Sequence, residues 1–264
     1  MHDIDLLKNE LEALNAYTRL PQRLEAIYPA LKRKNDDDLF GVADRLRAIQ
    51  QICGDQTLGT LTDLGGSSGY FSLSLVDCGM ADRSAVYDVN PRALAAGGAM
   101  ARLLNLDTLV SFHEQAIDLR FVREMSSADT ILCLNLLHHA GALFDKDEVA
   151  MVGWDRYVTE WLTELRSKSN LLIFGLGFKV RKPPHWDVPP AERPKEFLKI
   201  VERSGWRVMY EANVEDIRTM GVAAADGHRS KGGLERMLDR LRVQGVKIDS
   251  SPSKRNLYHL YILK

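Results

Sequence analysis

The stretch Asp63-Leu64-Gly65-Gly66-Ser67-Ser68-Gly69 decides how the rest of this chain is read. It closes a short apolar run, Gly59–Leu64, with the length and composition of a strand. It precedes Tyr70-Phe71-Ser72-Leu73-Ser74-Leu75, within a helix expected over Gly69–Cys78. Strand, glycine-rich turn and helix in that order form a nucleotide-binding geometry. The glycines permit a tight turn and let a ligand approach the backbone closely. The helix beyond them opens with free N–H groups. A second acid, Asp88, lies near the end of the next apolar run, Ser84–Val89. An acid at that place can accept hydrogen bonds from both hydroxyls of a ribose.

Outward from this turn, strands and helices alternate. Further strands are expected at Leu109–Phe112, Thr130–Leu134 and Leu171–Gly175. Helices are expected over Pro91–Leu104 and Lys146–Ser167, with a turn near Arg120–Met125. Short apolar strands separated by helices predict a parallel sheet covered on both faces. Beyond it come a helix at Ala191–Ser204, a strand at Trp206–Ala212 and a last strand at Leu257–Leu263. The predicted fold class is therefore α/β, a three-layer Rossmann-like sandwich. Its sheet has seven strands, mostly parallel, with the last one antiparallel. The segment at about 213–255 is too long for a hairpin loop and reads as a substrate-side insertion, with a basic helix near Leu234–Val243. Residues 1–54 read as an N-terminal helical cap on a main domain of 55–264. Leu6, Leu7, Leu11 and Leu14 form an apolar stripe, which Leu24, Ile27 and Leu31 continue after Pro21. A polar turn at Lys32–Asp38 leads to a third helix, roughly Leu39–Ile52.

Composition narrows the class. With 264 residues, 45% of them hydrophobic, the chain can build a sizeable core. Its 35 Lys+Arg against 36 Asp+Glu give bulk charge no reason to favour nucleic acid or a membrane surface. No apolar run approaches the roughly 20 residues that cross a bilayer. Cys53, Cys78 and Cys133 are far apart and read as reduced thiols. The acidic start, Met1-His2-Asp3-Ile4-Asp5, lacks an apolar signal core. A cytoplasmic protein is expected. No His/Asp/Glu set has metal-ligand spacing.

The opening motif resembles that of class I methyltransferases dependent on S-adenosylmethionine (SAM). The family's first region is an acid followed by glycines at alternating positions, matching Asp63, Gly65, Ser67 and Gly69. Ser67 stands where a glycine is usual, and neighbouring Gly66 is expected to supply the flexibility. The resemblance implies that this loop wraps the methionine part of SAM, that Asp88 holds the ribose, and that Val89 lies against the adenine. Phe112–Leu119 is similar to the region that reads the adenine amino group, through Gln115 and Ala116, with Asp118 as the competing candidate. Asp129–His139 is similar to the fourth strand and its substrate-side loop, which implies Asn135 beside the sulfonium. The spacing of Gly65, Gly66 and Gly69 fits the G-x-G-x-x-G of nicotinamide enzymes poorly.

The methyl of SAM is already activated, so the protein must align the acceptor, exclude water and manage a proton. His138 and His139 follow the fourth strand, on the sheet edge where ligands bind, and are the candidate bases. Lys179, Arg181, His185 and Trp186, after the fifth strand, could grip an anionic group and stack on a sugar face. His228 and Arg229, in the Gly-rich part of the insertion, are candidates for the same pocket. Cys133 reads as core. The absence of an Asn-Pro-Pro-Tyr or Asp-Pro-Pro-Tyr after the fourth strand disfavours amino methylation of bases or glutamine. The favoured reading is O-methylation of a small polar, anionic or sugar-containing acceptor. The start of the first motif helix and the Leu-Leu-His-His loop are faintly similar to methyltransferases of bacterial surface polysaccharide synthesis. Two other readings differ in class. An RNA methyltransferase would need a continuous basic surface joining 179–182, 229–242 and 254–255. A non-catalytic SAM-binding protein would hold the cofactor and transfer nothing.

Overall fold

A computed structural model describes residues 2–13, 19–31, 41–54, 56–177, 189, 192–213, 216 and 258–264. Seven strands form one sheet in the order β3-β2-β1-β4-β5-β7-β6. They are β1 (Thr60–Leu64), β2 (Arg83–Asp88), β3 (Val110–Glu114), β4 (Thr130–Leu134), β5 (Leu171–Gly177), β6 (Val208–Asn213) and β7 (Tyr258–Leu263). The first five pair in parallel, and β7 runs antiparallel between β5 and β6. The expected mostly parallel sheet with an antiparallel last strand is what forms. Strand order reverses between β1 and β4, the switch point at which open α/β sheets bind ligands beyond their carboxyl ends.

The central strands are apolar on both faces because helices cover both. Leu132, Leu134 and Ile173 point into one buried cluster, and Ile131, Cys133, Leu172 and Phe174 point into the other. The first cluster is closed by α1 (His2–Ala13), α2 (Gln22–Ile27), α3 (Val42–Cys53), α4 (Tyr70–Asp77) and α5 (Pro91–Leu104). The second is closed by α6 (Leu119–Glu124), α7 (Lys146–Val152), α8 (Trp154–Lys168) and α9 (Arg193–Arg203). Burying such faces is the main favourable term in folding, at about 25 cal/mol per Å² of apolar surface.

Pro21 sits at the N-cap of α2, where its fixed φ and missing N–H do no harm. Asn90 caps α5 by accepting from the amides of Arg92 and Ala93. The helix expected over Lys146–Ser167 is two helices. Gly153 adopts φ +83 between them, so its amide ends α7 on the Val149 carbonyl while its own carbonyl receives the Tyr157 amide of α8. The expected turn near Arg120–Met125 is the short helix α6, which Asp118 caps through the Phe121 amide.

Helix α1 lies along α5. Asp3 pairs with Arg102 near the end of α5, and Glu10 with Arg92 near its start. The two helices therefore run antiparallel, and α1 points toward the carboxyl edge of the sheet. No helix among the described residues is long and apolar enough to cross a membrane.

Candidate functional site

The glycine-rich turn is built over β1 and moored to β2. The amides of Gly65 and Gly66 both donate to the Tyr87 carbonyl, at 2.9 and 3.2 Å. The Ser67 amide donates to Asp88 Oδ2 at 2.8 Å, and the Asn90 amide to Asp88 Oδ1 at 2.9 Å. One carboxylate at the end of β2 thus holds both the turn and the start of the α5 segment. Gly65, Ser67 and Gly69 take left-handed backbone, with φ of 73, 52 and 70°. Gly66 does not. The flexibility expected of Gly66 is unnecessary, because Ser67 itself adopts the unusual conformation. Gly66 is needed for space instead: a Cβ there would lie 2.7 Å from both Asp63 Cγ and Val86 Cγ1.

Asp63 lies beneath the turn, 2% exposed. Its Oδ2 accepts from Ser72 Oγ at 2.7 Å, and Ser72 Oγ is 2.9 Å from Ser84 Oγ. Burial pushes the Asp63 carboxyl up to about 7, against a partial lowering by Ser72 and with a further push from nearby Asp88. Among the residues expected to contact ligand, Asp63 faces the helix below, while Gly65, Gly66, Ser67 and Asp88 face one another above it. Val89 follows, 63% exposed at the sheet edge.

The neighbouring loops converge on the same edge. The Gln115 amide donates to the Asp88 carbonyl at 2.9 Å, setting the β3 end beside Asp88. The Gln115 and Ala116 side chains are exposed, and Gln115 Nε2 bonds the Ala116 carbonyl. Asp118 is occupied as the cap of α6. On the other side, Gly65 lies close to Leu136, so that an added Cβ would meet its Cδ1 at 3.3 Å. Asn135 leaves β4 at φ 63, with its amide on the Gly175 carbonyl. A 3-10 turn, Leu137–His139, then presents the two imidazoles with ring centroids 4.1 Å apart. His138 packs near Gly177 at the end of β5. Its Nδ1 is enclosed and has no hydrogen-bond partner among the described residues. Burial, aided by His139, lowers the His138 imidazole to about 4, and burial also lowers His139. Burial therefore favours the neutral form of both rings.

The chain leaves β5 at Gly177 and β6 at Asn213, at this same edge. Lys179, Arg181, His185, Trp186, His228 and Arg229 lie outside the described residues, as does most of the insertion. Among the described residues, no group of three His, Cys, Asp or Glu side chains could hold a metal ion.

Several supporting residues carried no signal strong enough to single them out. Gly97 in α5 permits contact with the turn: a Cβ there would meet Phe112 Cε1 at 2.3 Å and the Ser68 carbonyl at 2.8 Å. Ser72 was visible only as a polar residue on the buried side of an apolar helix. Asp145 and Tyr157 meet through space, with no sequence spacing to mark them.

Two solved structures of WbdD share this architecture. The bifunctional kinase-methyltransferase WbdD matches with a TM-score of 0.50 and 19% identity, over 78% of this chain and 42% of that one. A second WbdD structure matches at 0.51 and 20%, over 78% and 43%. This chain has the class I methyltransferase fold. It spans less than half the length of the WbdD chains it matches. No family model matches it, and no curated protein matches it significantly.

Proposed function

We propose that this chain is a SAM-dependent methyltransferase acting on the oxygen of a small polar acceptor. The observation that carries this reading is the Asp88 carboxylate, joined at 2.8 Å to the Ser67 amide of the glycine-rich turn at the sheet's switch point. Each Asp88 oxygen spends one lone pair on a backbone amide and keeps another for a ribose hydroxyl. Gly66 and Gly69 let the turn pack directly onto Asp63, Val86 and Phe112, which fixes its backbone at the sheet edge beside Asp88. The exposed Val89 offers an apolar face to a flat base, and Gln115 an amide to its edge.

SAM supplies a sulfonium-bound methyl that needs no further activation. The chain's own residues bind it, orient it and handle the acceptor's proton. His139, the less buried of the two rings, is the candidate base that accepts the hydroxyl proton. His138, held neutral by burial, is the candidate for orienting that hydroxyl by a hydrogen bond. Polysaccharide-type acceptors fit the faint resemblance of the helix start and the Leu-Leu-His-His loop.

Two measurements test the reading. Calorimetry of SAM should show binding to the wild type, and Asp88→Ala should weaken it at least about tenfold, the equivalent of ~1.4 kcal/mol. Labelled SAM incubated with cell extract should yield a labelled product whose fragmentation places the methyl on oxygen. Equal affinity for SAM in wild type and Asp88→Ala would remove the ribose assignment. A product labelled on carbon or nitrogen would remove the O-directed one.

A further inference from the structure

We infer that Asp145 is a positioning residue: one of its carboxylate oxygens fastens the loop carrying His138 and His139 to the start of α6, the segment that follows Gln115 and Ala116. The inference rests on the methyl-transfer reading of this edge. Asp145 Oδ2 accepts the Leu119 amide at 2.8 Å and also the Tyr157 hydroxyl. Leu119 is the first residue of α6, where the amide has no partner within the helix. The neighbouring amide of Phe121 is taken by Asp118. Two acids from different segments thus close the start of one short helix.

Tyr157 anchors the other side. It is 1% exposed within the core face of α8. Burial, and then the bond to Asp145, push its phenol upward, so it remains a proton donor at any physiological pH. Glu148, in the first turn of α7, lies beside Asp145, and the neighbouring carboxylate holds the Glu148 carboxyl above the usual range. Three elements therefore meet at one side chain: α6, α7 and α8.

The backbone of Asp145 is itself unusual. Its φ of 48° and ψ of 40° lie in the left-handed region. A non-glycine residue persists there where its surroundings hold it, and such residues cluster at functional sites. Between His139 and Asp145 the chain has little freedom. The amides of Ala142 and Leu143 both bond the His139 carbonyl, at 3.0 and 2.9 Å, and Gly141 bonds Phe144 at 2.8 Å. A shift at Asp145 is therefore passed to His139 through a hydrogen-bonded turn.

The test uses three variants of the full chain. Asp145→Gly keeps the left-handed backbone and removes the carboxylate. Asp145→Asn keeps both the backbone preference and an acceptor oxygen. Tyr157→Phe removes one donor without touching the strained residue. Hydrogen exchange of the free protein should show faster exchange at Leu119, Ala142 and Leu143 in Asp145→Gly, recovery in Asp145→Asn, and a smaller change in Tyr157→Phe. SAM affinity should fall about tenfold in Asp145→Gly and return in Asp145→Asn. Unchanged exchange at these amides overturns the fastening. Changed exchange with unchanged SAM affinity overturns the positioning role. Failure of Asn to restore either readout shows that charge, not the acceptor oxygen, matters, and overturns a fastening made by hydrogen-bond geometry. If the wild type binds no SAM, the methyltransferase reading falls, while the exchange data still decide the fastening.

Discussion

Asp63→Asn should change how stability depends on pH, and the size of the change follows from where Asp63 sits. In the unfolded chain this carboxyl titrates near its ordinary 3.8, and in the folded chain burial pushes it to about 7. The folded state therefore holds its proton more tightly than the unfolded state. Below pH 4 both states are protonated, and the group costs nothing. As pH rises from 4 to 7 the unfolded chain ionises first, and folding is increasingly disfavoured. Above pH 7 the penalty levels off at roughly 4 kcal/mol. Asparagine has no charge to bury. Its carbonyl can accept from Ser72 as Asp63 does, and any unpaired amide hydrogen adds a constant cost of about 1–3 kcal/mol at every pH. The useful quantity is thus the difference between variant and wild type, followed across pH. Urea unfolding at pH 4.5 and pH 8 should show that difference move in favour of Asp63→Asn by several kcal/mol, equivalent to roughly 10 °C in Tm. Parallel stability curves for the two proteins would refute the buried, proton-holding acid.

Two further outcomes follow from the same edge of the sheet. Gly97→Ala should destabilise the chain by about 1–3 kcal/mol in urea unfolding, because the new methyl meets the Ser68 carbonyl and the Phe112 ring; adding Phe112→Leu should recover part of the loss, and an unchanged midpoint would show that α5 is not tight against the turn. The His138 ring should titrate near pH 4 by NMR, and its contribution to stability runs opposite to that of Asp63: the unfolded chain takes the proton first, so stability is lost as pH falls from 6.5 toward 4; an ordinary midpoint would show the ring to be solvated.

Much of the fold was legible because its signals are local. The apolar runs of β1, β2, β4 and β5 are bounded by polar or glycine residues, and each lies within a residue or two of where it was expected. The break at Gly153 was not legible, because Val149, Trp154, Tyr157 and Trp161 keep a buried face on both sides of it and mask the interruption. At the site, Asp88 and the glycines stood out through spacing alone. The inward turn of Asp63 did not, since an acid at a strand end reads the same whether it faces ligand or core. Only the burial of Ser72 and Ser84 shows which way it points. Asp145 was invisible for a different reason: its partners are 26 and 12 residues away, and nothing in the sequence pairs them.

The antiparallel pairing of α1 with α5 has a consequence for the order of events in folding. Its ion pairs join residues 99 and 82 positions apart, so closing them costs the entropy of a long loop unless β1, α4, β2 and α5 have already drawn that loop together. The pairs are exposed, and each is worth about 0.2–1 kcal/mol, which salt weakens. Helix α1 therefore stays docked through Leu7 and Leu11, buried in the cluster it closes, after salt has weakened the pairs.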